Sequence, residues 1–140
     1  MHRNHTITTL FACAAILFSA ASQAGVREDQ LAQYASAAKA QTPGFAGFSA
    51  ERGKTLHSQS FTGGKPDTPA CTSCHGKDPR STGRAPSGKT IEAMATSATP
   101  VRYTDPAKVE KWFKRNCTEV LGRVCTPQEK GDWMTFMLSQ

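Results

Sequence analysis

Apolar positions recur at helical spacing in four stretches of the chain and nearly vanish between them. Leu31, Tyr34, Ala35 and Ala38 follow the period of one helix face. Glu28 and Asp29 sit where the positive end of a helix dipole favours acid, so the pattern predicts a helix over 27–40, ended by Gln41-Thr42-Pro43-Gly44. Ser49 is placed as the N-cap of a second helix reaching about Ser58, in which Gly53 would admit another backbone at close range. Asp105-Pro106 reads as an N-cap with proline at the first helical position. Val109, Trp112 and Phe113 then share one face, and this helix is expected to end near Asn116. Thr126-Pro127-Gln128-Glu129 is a capping box that opens a last helix carrying Trp133, Phe136 and Met137, with Met134 and Met137 expected in the core. Residues 61–100 are rich in Gly, Pro, Ser and Thr, with Ile91 and Met94 almost alone as apolar positions. A loop of that length argues against a compact domain unless a bulky buried group replaces the missing core. The prediction is one all-α domain, and no internal repeat is visible.

The N-terminus changes the picture of where the chain works. His2, Arg3 and His5 precede a mostly apolar run over 7–21, and Ser22-Gln23-Ala24 stands before Gly25 in a small-residue cleavage pattern. At about 15 residues the run is too short to span a bilayer, and nothing downstream resembles a span. Residues 1–24 are expected to be a signal peptide and 25–140 the exported domain, periplasmic and without membrane insertion. Leu10-Phe11-Ala12-Cys13 only faintly resembles a lipoprotein acceptor site, so Cys13 is read as part of the discarded leader. The exported part keeps His57 and His75 together with Cys71, Cys74, Cys117 and Cys125. Loss of Arg3 lowers the formal charge of the 140-residue chain from +6 to +5. That charge suits an acidic protein surface, and the absence of a basic and aromatic stripe argues against nucleic acid.

Cys71-Thr72-Ser73-Cys74-His75 carries the chemistry. Two thiols three positions apart can add to the two vinyl groups on one edge of a porphyrin, which sets the adjacent histidine under the iron. A redox dithiol would be expected among alternating strands and helices, and a zinc site would have to recruit Cys117 and Cys125 at an unsuitable separation. The motif therefore predicts one covalent haem c, attached through Cys71 and Cys74 with His75 as an axial ligand. The other ring nitrogen of His75 should donate to a carbonyl, and Pro86 is one source.

What binds the opposite face decides function, since a strong internal ligand makes an electron carrier and a weak one leaves iron open to small molecules. Met94, a thioether on the loop after the motif, is the ordinary choice and would give a simple low-spin electron-transfer cytochrome; its other role is a flexible pocket wall. His57 lies close before the motif and suits surface or loop packing better than ligation. Asn116 reads from the residues alone chiefly as a left-handed helix C-cap. Cys117 and Cys125 form an even pair in an oxidising compartment and are read as a disulfide closing a small loop beside Asn116.

The pattern as a whole resembles the sphaeroides haem protein family of high-spin class I c-type cytochromes. The resemblance is carried by Thr62-Gly63-Gly64-Lys65-Pro66-Asp67-Thr68-Pro69 before Cys71, by Ser97-Ala98-Thr99-Pro100, by Val109-Glu110-Lys111-Trp112 through Arg115-Asn116-Cys117, and by Gly122-Arg123 before Cys125-Thr126-Pro127. It implies a class I cytochrome c fold, Asn116 as the ferric distal ligand, and pairing of Cys117 with Cys125. It further implies that Asn116 leaves on reduction and opens a site for dioxygen, nitric oxide and similar ligands, with electrons delivered by a dihaem cytochrome c and a membrane cytochrome b. The role is mainly electron transfer and ligand binding, with enzymatic oxygen or nitric oxide chemistry left open. Lys108, Lys111, Lys114 and Arg115 would then form a basic rim for an acidic partner, or an ordinary solvated face with Glu110 and Lys114 paired.

Overall fold

The computed structural model describes the backbone from Ala12 to Gln140 and the side chains from Gly25 onward. The first 11 residues of the expected leader lie outside the described residues. Helix α1 runs Ala12–Gln41, longer than the 27–40 that periodicity marks out. Its extra length is rich in alanine and free of proline, so nothing halts the helix before Thr42-Pro43-Gly44. The next helices are α2 Ala50–Ser58, the single turn α3 Thr72–His75, α4 Pro106–Leu121 and α5 Pro127–Leu138. Between α3 and α4 a two-residue antiparallel pair, β1 Gly83–Arg84 with β2 Thr90–Ile91, registers Gly83 opposite Ile91. This short hairpin and α3 are the only regular structure within the expected loop over 61–100 among the described residues.

The caps are those that the sequence points to. Ser49 Oγ accepts from the Arg52 N–H, and Asp105 accepts from the Lys108 N–H at 3.0 Å. Thr126 and Glu129 complete the reciprocal capping box around Pro127. The end of α4 differs from expectation. Asn116 lies in the helix interior, and the left-handed C-cap is Gly122 at φ 74°. Phe113, Cys117, Val120 and Leu121 carry the buried stripe past Asn116, so packing continues the helix to the residue whose missing Cβ permits the turn. Trp112 falls outside that stripe and is 43% exposed, with the Arg115 guanidinium 5.3 Å from its ring.

Met134 and Met137 on α5 are fully buried, as their positions among aromatics imply. Helix α2 crosses α5 at Gly53, where a Cβ would sit 2.6 Å from the Asp132 carbonyl carbon and 2.8 Å from Phe136 Cβ. The same crossing is pinned by the buried Asp132 carboxylate. It accepts from the Ser49 N–H and from Nε and Nη2 of Arg52, each at 2.7 Å. A second polar tie joins α1, α4 and α5. Tyr34 donates its hydroxyl to Glu110, and Lys130 Nζ lies 2.6 Å from the other Glu110 oxygen and 5.5 Å from the Tyr34 ring centre. Glu110 therefore pairs with Lys130 across helices and not with Lys114 along its own, because α5 brings the cation directly over Tyr34 and Phe113.

Gly53→Ala should cost about 1–3 kcal/mol of overpacking, read as a lower urea midpoint of the holoprotein with unchanged slope. A neutral result would mean that the crossing can relax. Burial alone would raise the Glu129 carboxyl, yet hydrogen bonds from Arg123 and Thr126 outweigh it and hold the group below its ordinary value. A depressed folded value means stability that is present above the unfolded pKa of about 4.3 and is lost as pH falls through the folded one. Glu129→Gln should therefore be less stable than the parent at neutral pH, with the gap closing in acid. Urea titrations at both pH values check the sign.

Candidate haem centre

The Cys71 to His75 segment is a single helical turn. The N–H groups of Cys74 and His75 both point to the Cys71 carbonyl, and the Ser73 hydroxyl accepts from the Ala70 N–H. Cys71 and Cys74 are unpaired, whereas Cys117 and Cys125 are bonded to each other. Burial pushes the Cys71 thiol up to about 11, and burial followed by the charge of Glu119 raises that of Cys74, so both keep their protons near neutrality. His75 is held down to about 4 by burial first and then by His57 and Arg102, which leaves a neutral imidazole. Its Nδ1 is buried with no hydrogen-bond partner, and the exposed Pro86 does not supply the carbonyl considered above. Two protonated thiols at this spacing beside an unprotonated, polar-unsatisfied imidazole form a donor set that fits haem c: each S–H can add across a vinyl group, and a neutral ring nitrogen can ligate iron. Among the described residues no three His, Cys, Asp or Glu side chains converge as a metal site, which leaves the zinc alternative without ligands.

The hairpin braces this turn. A Cβ on Gly83 would overlap the Cys74 carbonyl oxygen and lie 3.0 Å from His75 Cα. On the other flank the loop before the motif is laid onto the end of α4. Gly63 and Gly64 approach so closely that a Cβ on either would meet the backbone of Leu121 or Val120 at 2.5 Å. The Lys65 N–H donates to the Glu119 carbonyl at 2.7 Å, and Lys65 Nζ pairs with the Glu119 carboxylate at 2.5 Å. Asn116 is one turn before Glu119 on the same helix, half-buried, and its amide has no hydrogen bond to another described residue. Immediately after it, the Cys117–Cys125 disulfide fixes α4 to the start of α5 with Cα atoms 5.6 Å apart.

His57 is 1% exposed, not on the surface, and its ring centre lies 6.5 Å from that of His75. Met94 is 7% exposed and belongs to the core with Tyr103 and Val109. Its backbone is tied at both ends: its N–H donates to the Pro79 carbonyl at 2.8 Å, and its carbonyl accepts from the Tyr103 hydroxyl at 2.7 Å. Several site-shaping residues left no mark in the hydrophobic pattern. Arg102 donates to the carbonyls of Ala93 and Glu92, Arg27 donates to those of Arg102 and Pro100, and Tyr103 takes a left-handed φ of 62°. Together they hold the segment over 92–103 by its backbone, which composition alone does not reveal. Outside α4 a groove of about 670 Å³ is lined by Lys65, Lys111, Lys114 and Arg115 together with Glu119, which pairs with Lys65 and Arg115.

Residues 43–137 match a family model described as a domain of unknown function, DUF1924. Over 91 residues the chain is 54% identical to the cytochrome c-type protein SHP of Cereibacter sphaeroides, an alignment covering 65% of this chain and 70% of that protein. The chain belongs to the sphaeroides haem protein family. Within the solved structures, oxidised SHP, an oxygen-binding cytochrome c, matches with a TM-score of 0.75 and 47% identity over 81% of this chain and 96% of that one. Cytochrome c'' of Methylophilus methylotrophus is 31% identical over 137 residues, spanning 96% of this chain and 95% of that protein. Its oxidised crystal structure matches with a TM-score of 0.73 at 29% identity, covering 83% of this chain and 95% of that one. As a member of the sphaeroides haem protein family this chain is a monohaem c-type cytochrome with a class I fold.

The disulfide closes a loop of sequence separation 8. Replacing both Cys117 and Cys125 with Ser should cost about 2.5 kcal/mol on the chain-entropy estimate. Urea unfolding of the oxidised holoprotein measures it, and a loss near zero would mean that the α4–α5 junction holds without the bond.

Proposed function

We propose that this protein is an exported, periplasmic cytochrome whose haem is attached through Cys71 and Cys74, with His75 as the proximal ligand and Asn116 as a ferric sixth ligand that is released on reduction. The haem would supply one redox-active iron. Everything else is done by the chain. The observation that carries the reading is the situation of Asn116: an asparagine in a helix interior, relieved of any capping role by Gly122 and without a hydrogen bond to a described residue. Asparagine is a poor residue for such a place, since its amide competes with the backbone for hydrogen bonds. Ligation gives that amide a partner.

An amide oxygen is a hard, neutral, weak donor, which favours ferric over ferrous iron. A full swing of Asn116 from 99:1 bound to 1:99 needs its relative affinity to change by about 5.5 kcal/mol between the two oxidation states. With α4 fixed after Asn116 by the disulfide and one turn later by Lys65 and Glu119, only the side chain has to move. His75, held as a neutral imidazole, would keep its place throughout. SHP is an oxygen-binding cytochrome c, and the freed position here would accept dioxygen, nitric oxide or carbon monoxide when reduced. Met94, buried in the core with Tyr103 and Val109, would serve as a pocket wall.

The groove outside α4 supports the partner assignment. Lys111 and Lys114 have no ion pair among the described residues, and Trp112 under Arg115 adds an exposed aromatic of the kind enriched at interfaces. An acidic redox protein, such as a dihaem cytochrome c or a membrane cytochrome b, fits this surface and would be steered to it by charge. Cleavage after Ala24 would place both proteins in the same compartment.

Asn116→Ala should keep its covalent haem but lose the sixth-ligand features of the oxidised optical spectrum, while parent and variant both bind carbon monoxide when reduced. An oxidised spectrum identical to the parent's would reject Asn116. A reduced parent that ignores carbon monoxide would favour the His75 and Met94 carrier instead.

A further inference from the structure

Among the described residues, His57 is the one fully buried titratable side chain that neither the fold's polar ties nor the proposed ligand set employs. Gly53 brings α2 down onto α5, and His57, one turn further along the same face, is carried in between Trp133, Phe136 and His75, with ring centres 6.3, 5.9 and 6.5 Å away. The Trp133 indole nitrogen stands 3.3 Å from His57 Nδ1, and an indole N–H can only donate. Nδ1 must therefore accept, the ring proton must sit on Nε2, and Nε2–H donates to the Gly76 carbonyl at 3.0 Å. Both ring nitrogens are satisfied in a single tautomer.

The acceptor is the informative part. Gly76 directly follows His75 and takes φ 69°, ψ 178°, with its N–H given back to the Thr72 carbonyl. Its amide is thus fixed inside α3 and its carbonyl is fixed by His57. A ligating histidine is ordinarily oriented by a carbonyl or carboxylate that accepts from its second ring nitrogen. His75 Nδ1 is buried without such an acceptor, so that restraint is missing from its own ring. The restraint that is present acts on the next peptide, and the His57 ring adds a wall beside the imidazole.

We propose that His57 is a positioning residue for His75, locking its backbone through the Gly76 carbonyl and its ring plane by packing, and so setting how strongly the opposite face of the haem binds its ligand. This rests on the reading of His75 as the proximal ligand. An imidazole that cannot rotate or tilt would be presented in one orientation in either oxidation state, so that the change would fall on Asn116.

The test uses holoprotein variants. His57→Gln can reproduce both bonds, with its carbonyl accepting from Trp133 and its amide donating to Gly76; His57→Phe fills the space and makes neither. His57→Gln should match the parent ferric optical and electron paramagnetic spectra and bind carbon monoxide within about twofold. His57→Phe should alter both spectra and change carbon monoxide affinity about tenfold, the lower end of the range for losing an outer-shell partner. If His57→Phe fails to fold, Trp133→Phe, which keeps an aromatic ring in place and removes the donor to Nδ1, must alter both spectra and the carbon monoxide affinity relative to the parent. Parent-like spectra and affinity in His57→Phe, or in Trp133→Phe where that variant decides, overturn the positioning role even if the melting temperature falls. The ligand reading is tested separately by adding imidazole to His75→Gly. Restoration of the spectrum there alongside a parent-like His57→Phe overturns only the role of His57, whereas no restoration overturns both.

Discussion

The architecture depends on one close approach, the crossing of α2 over α5 at Gly53. With any side chain there, the backbone of α2 could not reach the Asp132 carbonyl, and the two helices would separate by the width of a methyl group or more. At contact, the Asp132 carboxylate reaches the Ser49 amide and the Arg52 guanidinium, so a buried charge is met by three donors and fixes the angle that the glycine allows. The consequence is felt one turn along, where His57 is delivered between Trp133 and the Gly76 carbonyl. A small residue on one helix therefore sets the geometry around His75, which lies on a different element.

The two flanks of the haem motif are treated differently by the chain. The α2–α5 side is dense with directional bonds and aromatic contacts: Trp133 lies edge-on to Tyr103 and Phe113 at 6.1 and 5.6 Å, and His57 is bonded at both nitrogens. On α4 the backbone is just as firmly held, by the disulfide, by Lys65 and Glu119, and by glycine contacts with the loop over 62–65. Its half-buried amide at Asn116 makes no hydrogen bond to a described residue. Rigid backbone with an uncommitted side chain is the arrangement that a reversible weak ligand requires, because ordering costs have already been met by the fold and do not recur with each exchange.

Much of this was legible in the sequence, and the exceptions share a physical cause. The caps at Ser49, Asp105 and Thr126 were readable because capping is local chemistry, and Gly53 was readable because a glycine inside a helix calls for a reason. The end of α4 was misplaced because Asn116 and Gly122 are both acceptable left-handed caps. Only the packing of Val120 and Leu121, a long-range fact, selects Gly122. Trp112 reads as sharing a face with Val109 and Phe113, but the buried stripe passes through Phe113 and Cys117 and leaves it outside. The partners of Glu110 and His57 lie 19 or more positions away in sequence, so no local rule could pair them. The haem motif was legible for the opposite reason, since five consecutive residues contain all of its chemistry.

A helix-borne amide and a loop-borne thioether make different kinds of sixth ligand, and the structure bears on which kind suits this chain. Met94 sits on a segment whose backbone is bonded to Pro79 and Tyr103, and whose neighbours Ala93 and Glu92 are held by Arg102. These bonds fix the backbone from which the thioether extends, and the side chain itself is packed in the core with Tyr103 and Val109. Asn116 has only two side-chain torsions between its backbone and its amide oxygen, and no hydrogen bond to a described residue to give up. Under the proposed function, therefore, release and recapture are side-chain events on a fixed helix. The strength of the sixth bond is then set by the chemistry of an amide and by how rigidly the opposite imidazole is held, and not by refolding of a loop.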